Sequence, residues 1–116
     1  MDDKLVTTNI ILDALKGWVE SKHPIPPSLF LDACMKLMIL MSDETDKLYL
    51  LEQQIASLKV AYIEGGKTVA AAESYVKSTD LYRQMKQQTA KIKQIEEAVR
   101  ISKIQARLRN DEINHQ

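Results

Sequence analysis

Between Thr68 and Asn110 the chain contains neither glycine nor proline, and the stretch is rich in Ala, Lys, Gln, Glu and Ile. Such residues lose little freedom in a helix, so the stretch predicts one continuous helix over about 69–110, roughly 60 Å long at ~1.5 Å per residue. A helix of that length cannot bury itself. Whatever else the chain builds must supply helices to lie along its side.

The preceding segment is suited to that task. Leu48, Leu51, Ile55, Leu58 and Tyr62 alternate at three- and four-residue spacing, the pattern of a coiled-coil seam. It ends at Glu64, Gly65, Gly66, Lys67 and Thr68. Two glycines in so short a connection predict a tight reversal and antiparallel helices on either side. The run Gly65 to Thr68 lacks the preceding strand and the spaced glycine of a phosphate-binding loop, so that reading is rejected.

Upstream, Leu5, Leu12, Leu15, Trp18 and Val19 mark an amphipathic helix over about 4–21, with Gly17 its weak point and Trp18 in the core. Pro24, Pro26 and Pro27 end it, and Pro26 or Pro27 opens the next helix. That helix, from Leu29 to Met41, is apolar on most sides, which predicts burial on most sides. Its three methionines are read as core packing in preference to an adaptable binding groove. Asp32 and Lys36 form its polar row and are expected to pair. Ser42, Asp43, Glu44 and Thr45 resemble a helix start, yet fit equally a polar step inside one helix running from Ser28 to Ile63.

The expected architecture is therefore all-α and a single domain over 1–116: apolar helices over 1–41, a helical hairpin over 42–110 (arms about 43–64 and 68–110, turn at 64–68) and a frayed tail over 111–116. The principal stripe of the long helix passes through Tyr82, Met85, Thr89, Ile92, Ile95, Val99 and Ala106. A second stripe, Ile101, Ile104 and Leu108, faces nearly the opposite side. A helix with two apolar faces needs two partners, the apolar second helix and another copy of the chain, so a homo-oligomer is expected, with a two-fold dimer the default.

Charge excludes some functions and suggests others. The chain is neutral overall with 16 basic and 16 acidic residues, so no net field draws it to nucleic acid or acidic lipid. The halves differ: residues 1–66 carry 6 basic against 10 acidic side chains, and residues 67–116 carry 10 against 6. Lys86, Lys93, Arg100 and Arg107 recur at heptad spacing with Arg83 and Lys103 beside them, a slowly turning ridge able to follow a phosphate backbone of single- or double-stranded nucleic acid. The competing account is a solvated face, with Glu96 pairing Arg100 and the acidic half absorbing the rest. The lack of interleaved aromatics for base stacking favours that account.

Catalysis finds no support. His23 falls in a turn and His115 in the tail; neither has companions at metal-ligand spacing, so no metal and no cofactor are expected. Cys34, the single cysteine, excludes an internal disulfide and reads as a buried structural thiol. Glu96 and Glu97 are adjacent and diverge, so they are not a paired-carboxylate site. Met1 is followed by two aspartates and the longest apolar run, Met35 to Met41, is broken by Lys36; a cytoplasmic protein without membrane contact is expected.

The segments LDACMKLMILMSDETDKLYLLEQQIASLKV, TVAAAESYVKSTDLYRQM and IEEAVRISKIQARL resemble small all-helical accessory proteins of tailed bacteriophages and prophages. The similarity covers about 31–109. It implies a phage early or accessory protein, often from gene neighbourhoods for recombination or single-strand handling, with no catalytic residues to carry over. The expected function is thus non-enzymatic: helical surfaces acting on a protein partner from phage DNA metabolism or host defence, with nonspecific nucleic-acid binding by the ridge as the alternative.

Overall fold

The computed structural model describes the backbone of residues 3–114 and the side chains of residues 8–111. The side chain of Leu5, and His115, lie outside the described residues. Four helices follow in order, α1 (Asp3–Glu20), α2 (Pro27–Glu64), α3 (Val69–Lys77) and α4 (Asp80–Asn114), with no strand among the described residues. The long helices α2 and α4 pack against each other, as expected of a helical hairpin. None of the helices is long and apolar enough to cross a membrane.

Helix α1 passes straight through Gly17 and ends where the Ser21 amide bonds to the Trp18 carbonyl at 3.3 Å. Pro27 opens α2 from the first helical position, where its missing N–H is no loss, and the Leu29 amide bonds to the Pro26 carbonyl at 3.1 Å. From there α2 runs unbroken for 38 residues. Ser42 to Thr45 are therefore a polar step inside a helix, and the hairpin's first arm begins well before residue 43. At the far end the chain reverses through Gly66, whose φ of 97° lies in the left-handed region open to glycine. Thr68 then caps α3 by accepting the Ala71 amide at 3.1 Å.

The single helix expected over 69–110 is two. At Ser78 and Thr79 both hydroxyls turn back on the helix they follow, donating at 2.6 Å to the carbonyls of Tyr75 and Val76. Thr79 Oγ1 also accepts the Tyr82 amide at 3.3 Å, which makes Thr79 the cap of a fresh helix with Asp80 in its first turn. Short polar side chains compete with the backbone ladder, and two hydroxyls in succession outweigh the propensity of their neighbours. At its other end α4 stays helical to Asn114, beyond the frayed tail expected from 111.

The molecule divides into two compact units. The first takes α1, α2 up to Ser42 and α4 from Lys93 onward. Leu15, Phe30, Ala33, Leu37, Ile95 and Ala106 are its buried core, and Trp18 meets Phe30 edge to face, centroids 5.7 Å apart. Each large side chain buried here is worth about 1.5–3 kcal/mol. Ser102 fills the seam position between Val99 and Ala106 and satisfies its hydroxyl on the Ala98 carbonyl at 2.7 Å. The Arg109 guanidinium closes the core by lying 5.1 Å from the Phe30 ring centre.

The apolar stretch of α2 is not buried all round. Phe30, Ala33, Cys34 and Leu37 are, whereas Leu31, Met35, Met38 and Ile39 stand out at 50, 64, 54 and 71% exposure. Three helical segments can cover only one side of each member. The reading of the methionines as core is thereby corrected for Met35 and Met38; Met41 does pack against the core.

The second unit spans Asp43–Ile92. Leu48, Leu51, Ile55, Leu58 and Tyr62 are half-buried along the expected seam. Glu44 meets Gln88, while farther along α2 Lys59 pairs with Glu73 at 3.1 Å and Tyr62 stacks on Tyr75 at 4.4 Å. From Glu44–Gln88 to the Lys59–Glu73 and Tyr62–Tyr75 contacts near the turn, the partner moves back in sequence while α2 advances, as in an antiparallel hairpin.

Candidate partner-binding groove

In the first unit α1 and α4 each run antiparallel to α2, and so parallel to each other. Between them lies a groove of about 470 Å³. Leu12, Leu15 and Val19 from α1 and Ala98 and Ile101 from α4 make its floor apolar. Its edges are charged: Lys16 and Glu20 on α1, Lys93 and Glu97 on α4. On both helices the lysine precedes the glutamate by one turn. With the helices parallel and Gln94 beside Asn9, Leu12 and Asp13, Lys93 lies toward one end of the groove and Glu20 toward the other, with Lys16 and Glu97 level with each other between them.

The basic residues singled out from the sequence divide by engagement. Arg83 bonds to Asp80, and Arg100 to Glu97. The partner of Arg100 is thus the residue three positions back, not Glu96. Lys86 lies 5.4 Å from the Tyr82 ring centre. Lys93, Lys103 and Arg107 are exposed and form no ion pair among the described residues. The Asp80 carboxyl is held below its ordinary value by hydrogen bonds from Gln84 and Arg83 and by the Arg83 charge. Glu97 is lowered chiefly by its bond from Arg100, whose own value is raised by the same contact.

The second stripe of α4 is split. Ile101 lines the groove, Ile104 is half-buried and Leu108 is 49% exposed. Lys16 and Glu20, which complete the groove, were not singled out from the sequence, and Val19 was read there only as part of the apolar face of the first helix; the signal was the recurrence of Leu12, Leu15 and Val19 on a face beside Lys16.

The second unit holds a polar cluster that the sequence reading missed. Glu44 is 1% exposed. Gln88 Nε2 donates to its Oε2 at 2.7 Å and to its backbone carbonyl at 2.8 Å, and Lys47 and Lys91 each approach Oε1 at 3.8 Å. Leu37, Met41, Glu44 and Leu48 continue the seam backwards at four, three and four, so Glu44 occupies a seam position.

No protein-family model, curated protein or solved structure matches the chain.

Among the described residues no three His, Cys, Asp or Glu side chains gather to hold a metal ion. His23 is exposed in the connection after α1, with its amide bonded to Ser21 Oγ at 3.1 Å. Cys34 is buried with its thiol 3.9 Å from the Met38 sulfur. The groove offers apolar area and two charged ends, the features that receive an amphipathic helix.

Proposed function

We propose that this chain is a non-enzymatic accessory protein of the bacteriophage type, working in the host cytoplasm by docking a helix of a protein partner into the α1/α4 groove. The observation that carries this reading is the groove's composition: an apolar floor with lysine-first, glutamate-second edges on both sides. A helix with one apolar stripe, an acidic residue toward the Lys93 end and a basic one toward the Glu20 end satisfies floor and edges together. The resemblance of the sequence over about 31–109 to phage accessory proteins suggests partners in phage DNA metabolism or host defence.

A photo-crosslinking residue at Val19 tests it in infected cells. The expected result is a defined protein adduct that disappears when Lys16 and Lys93 are both changed to Glu. The absence of a Val19 adduct overturns the groove. The nucleic-acid alternative draws on Lys93, Lys103 and Arg107, ridge cations that form no ion pair among the described residues. Fluorescence polarisation with single- and double-stranded oligonucleotides at low and moderate salt decides it. No binding at low salt is expected; binding that is lost in Lys93→Glu/Arg107→Glu moves the function to nucleic acid.

A further inference from the structure

We infer that the exposed apolar face of α2 in the first unit is a two-fold interface with a second copy of this chain, the two α2 helices lying antiparallel. Leu31, Met35, Met38 and Ile39 are all at least half exposed, on one side of the helix. Together they offer a few hundred Å², the size at which an apolar patch marks an interaction site.

The flank of this face identifies the occupant. Asp32 and Lys36 pair at 2.9 Å along its edge, with side chains 60 and 59% exposed. Rotation about an axis perpendicular to the helix at the level of Cys34 keeps that flank on the same side and reverses its order. Asp32 of each copy then meets Lys36 of the other, and four charges alternate in one row. A parallel two-fold, with its axis along the helix, sends the two flanks to opposite sides and makes no such row. The same antiparallel register places Leu31, three residues before the axis, opposite the gap between Met35 and Met38 of the second copy, one and four residues beyond it. Methionine side chains adapt to such an insertion. The face therefore complements itself in shape and in charge, which an isologous contact requires. An area this small makes the dimer weak and concentration-dependent.

Sedimentation equilibrium over a wide concentration range, with Ile39→Lys as the first variant, reads it. The wild-type chain is expected to pass from monomer to dimer and Ile39→Lys to stay monomeric; since Ile39 is solvent-exposed, circular dichroism should show both equally folded. The charge row gives the sharper test. Asp32→Lys and Lys36→Asp are each expected to weaken the dimer several-fold, because each places like charges across the axis. The Asp32→Lys/Lys36→Asp double variant is expected to restore it, and an equimolar mixture of the two single variants to form heterodimers. A monomeric wild-type chain at the highest concentration overturns the inference. So does a dimer that ignores Ile39→Lys, and so does a double variant as weak as the singles. Val19→Asp, in the α1/α4 groove, should leave the dimer intact, so failure of the groove reading and failure of this one are separable.

Discussion

Gln88 reaches across the second unit to hold both ends of one residue, donating from a single amide nitrogen to the Glu44 carboxylate at 2.7 Å and to the Glu44 carbonyl at 2.8 Å. The contact sits in a seam otherwise apolar, so it is satisfied only when α2 and α4 lie in one register. Removing one member of a buried charged cluster strands the others, as Lys91, with a side chain 13% exposed, would be stranded here. Glu44→Ala is expected to cost about 2–4 kcal/mol. Glu44→Leu combined with Gln88→Leu should recover most of that loss while permitting register slippage. Urea unfolding measures the first effect, and amide exchange in the seam the second.

At the break between α3 and α4 the Thr79 hydroxyl both donates to the Val76 carbonyl and accepts from the Tyr82 amide. Thr79→Ala is expected to lower stability by about 1 kcal/mol, and Thr79→Ser to retain most of it. Thermal unfolding of the two variants makes the comparison.

In the first unit Phe30 and Leu37 are fully buried. Phe30→Ala should cost about 3–5 kcal/mol and Leu37→Ala about 2–5. Met35→Ala, at a solvent-exposed position on the same helix, should cost under about 0.5 kcal/mol in the monomer. Chemical denaturation at low protein concentration separates the three.

Asp80 and Glu97 both titrate below their ordinary values of 3.8 and 4.5. A carboxyl depressed in the folded state contributes stability above its unfolded value, and the contribution disappears as pH falls through the folded one. The contributions of these two pairs are therefore present at neutral pH and decline as the pH falls below 4.5 for Glu97 and 3.8 for Asp80. Carboxyl carbon chemical shifts followed against pH should show both depressions. Arg100→Gln should bring Glu97 back toward 4.5 and leave Asp80 where it was.

The helical class, the Gly65–Gly66 reversal, the Leu48 to Tyr62 seam and the Asp32–Lys36 pair were legible because each is a local pattern with a local cause. The break at Ser78 was not: composition over forty residues predicts one helix, and the Ser78 and Thr79 side chains override it by bonding their own backbone. The unbroken course of α2 was readable in principle, since Leu37, Met41, Glu44 and Leu48 keep the seam's spacing through the polar step. A glutamate in that series looked like a cap because its burial depends on Gln88, far away in the chain. The exposure of Met35 and Ile39 was beyond periodicity, for a helix apolar on all sides does not say which side its neighbours will occupy. The α1/α4 groove is likewise a product of packing between distant segments, and of its residues the sequence reading singled out Lys93 and Ile101 as candidates.

The second unit is one uninterrupted piece of chain, whereas the core of the first joins Phe30 and Leu37 to Ile95 and Ala106, made some sixty to seventy residues later. During synthesis the hairpin has all its parts while the earlier core still lacks its third helix. Until then Phe30 and Leu37 have only α1 to cover them, on the opposite side of α2 from Met35, so the nascent helix carries uncovered apolar surface on both flanks. That interval is when the chain is most in need of a chaperone or a second copy, and slowing translation after Ile92 should lengthen it.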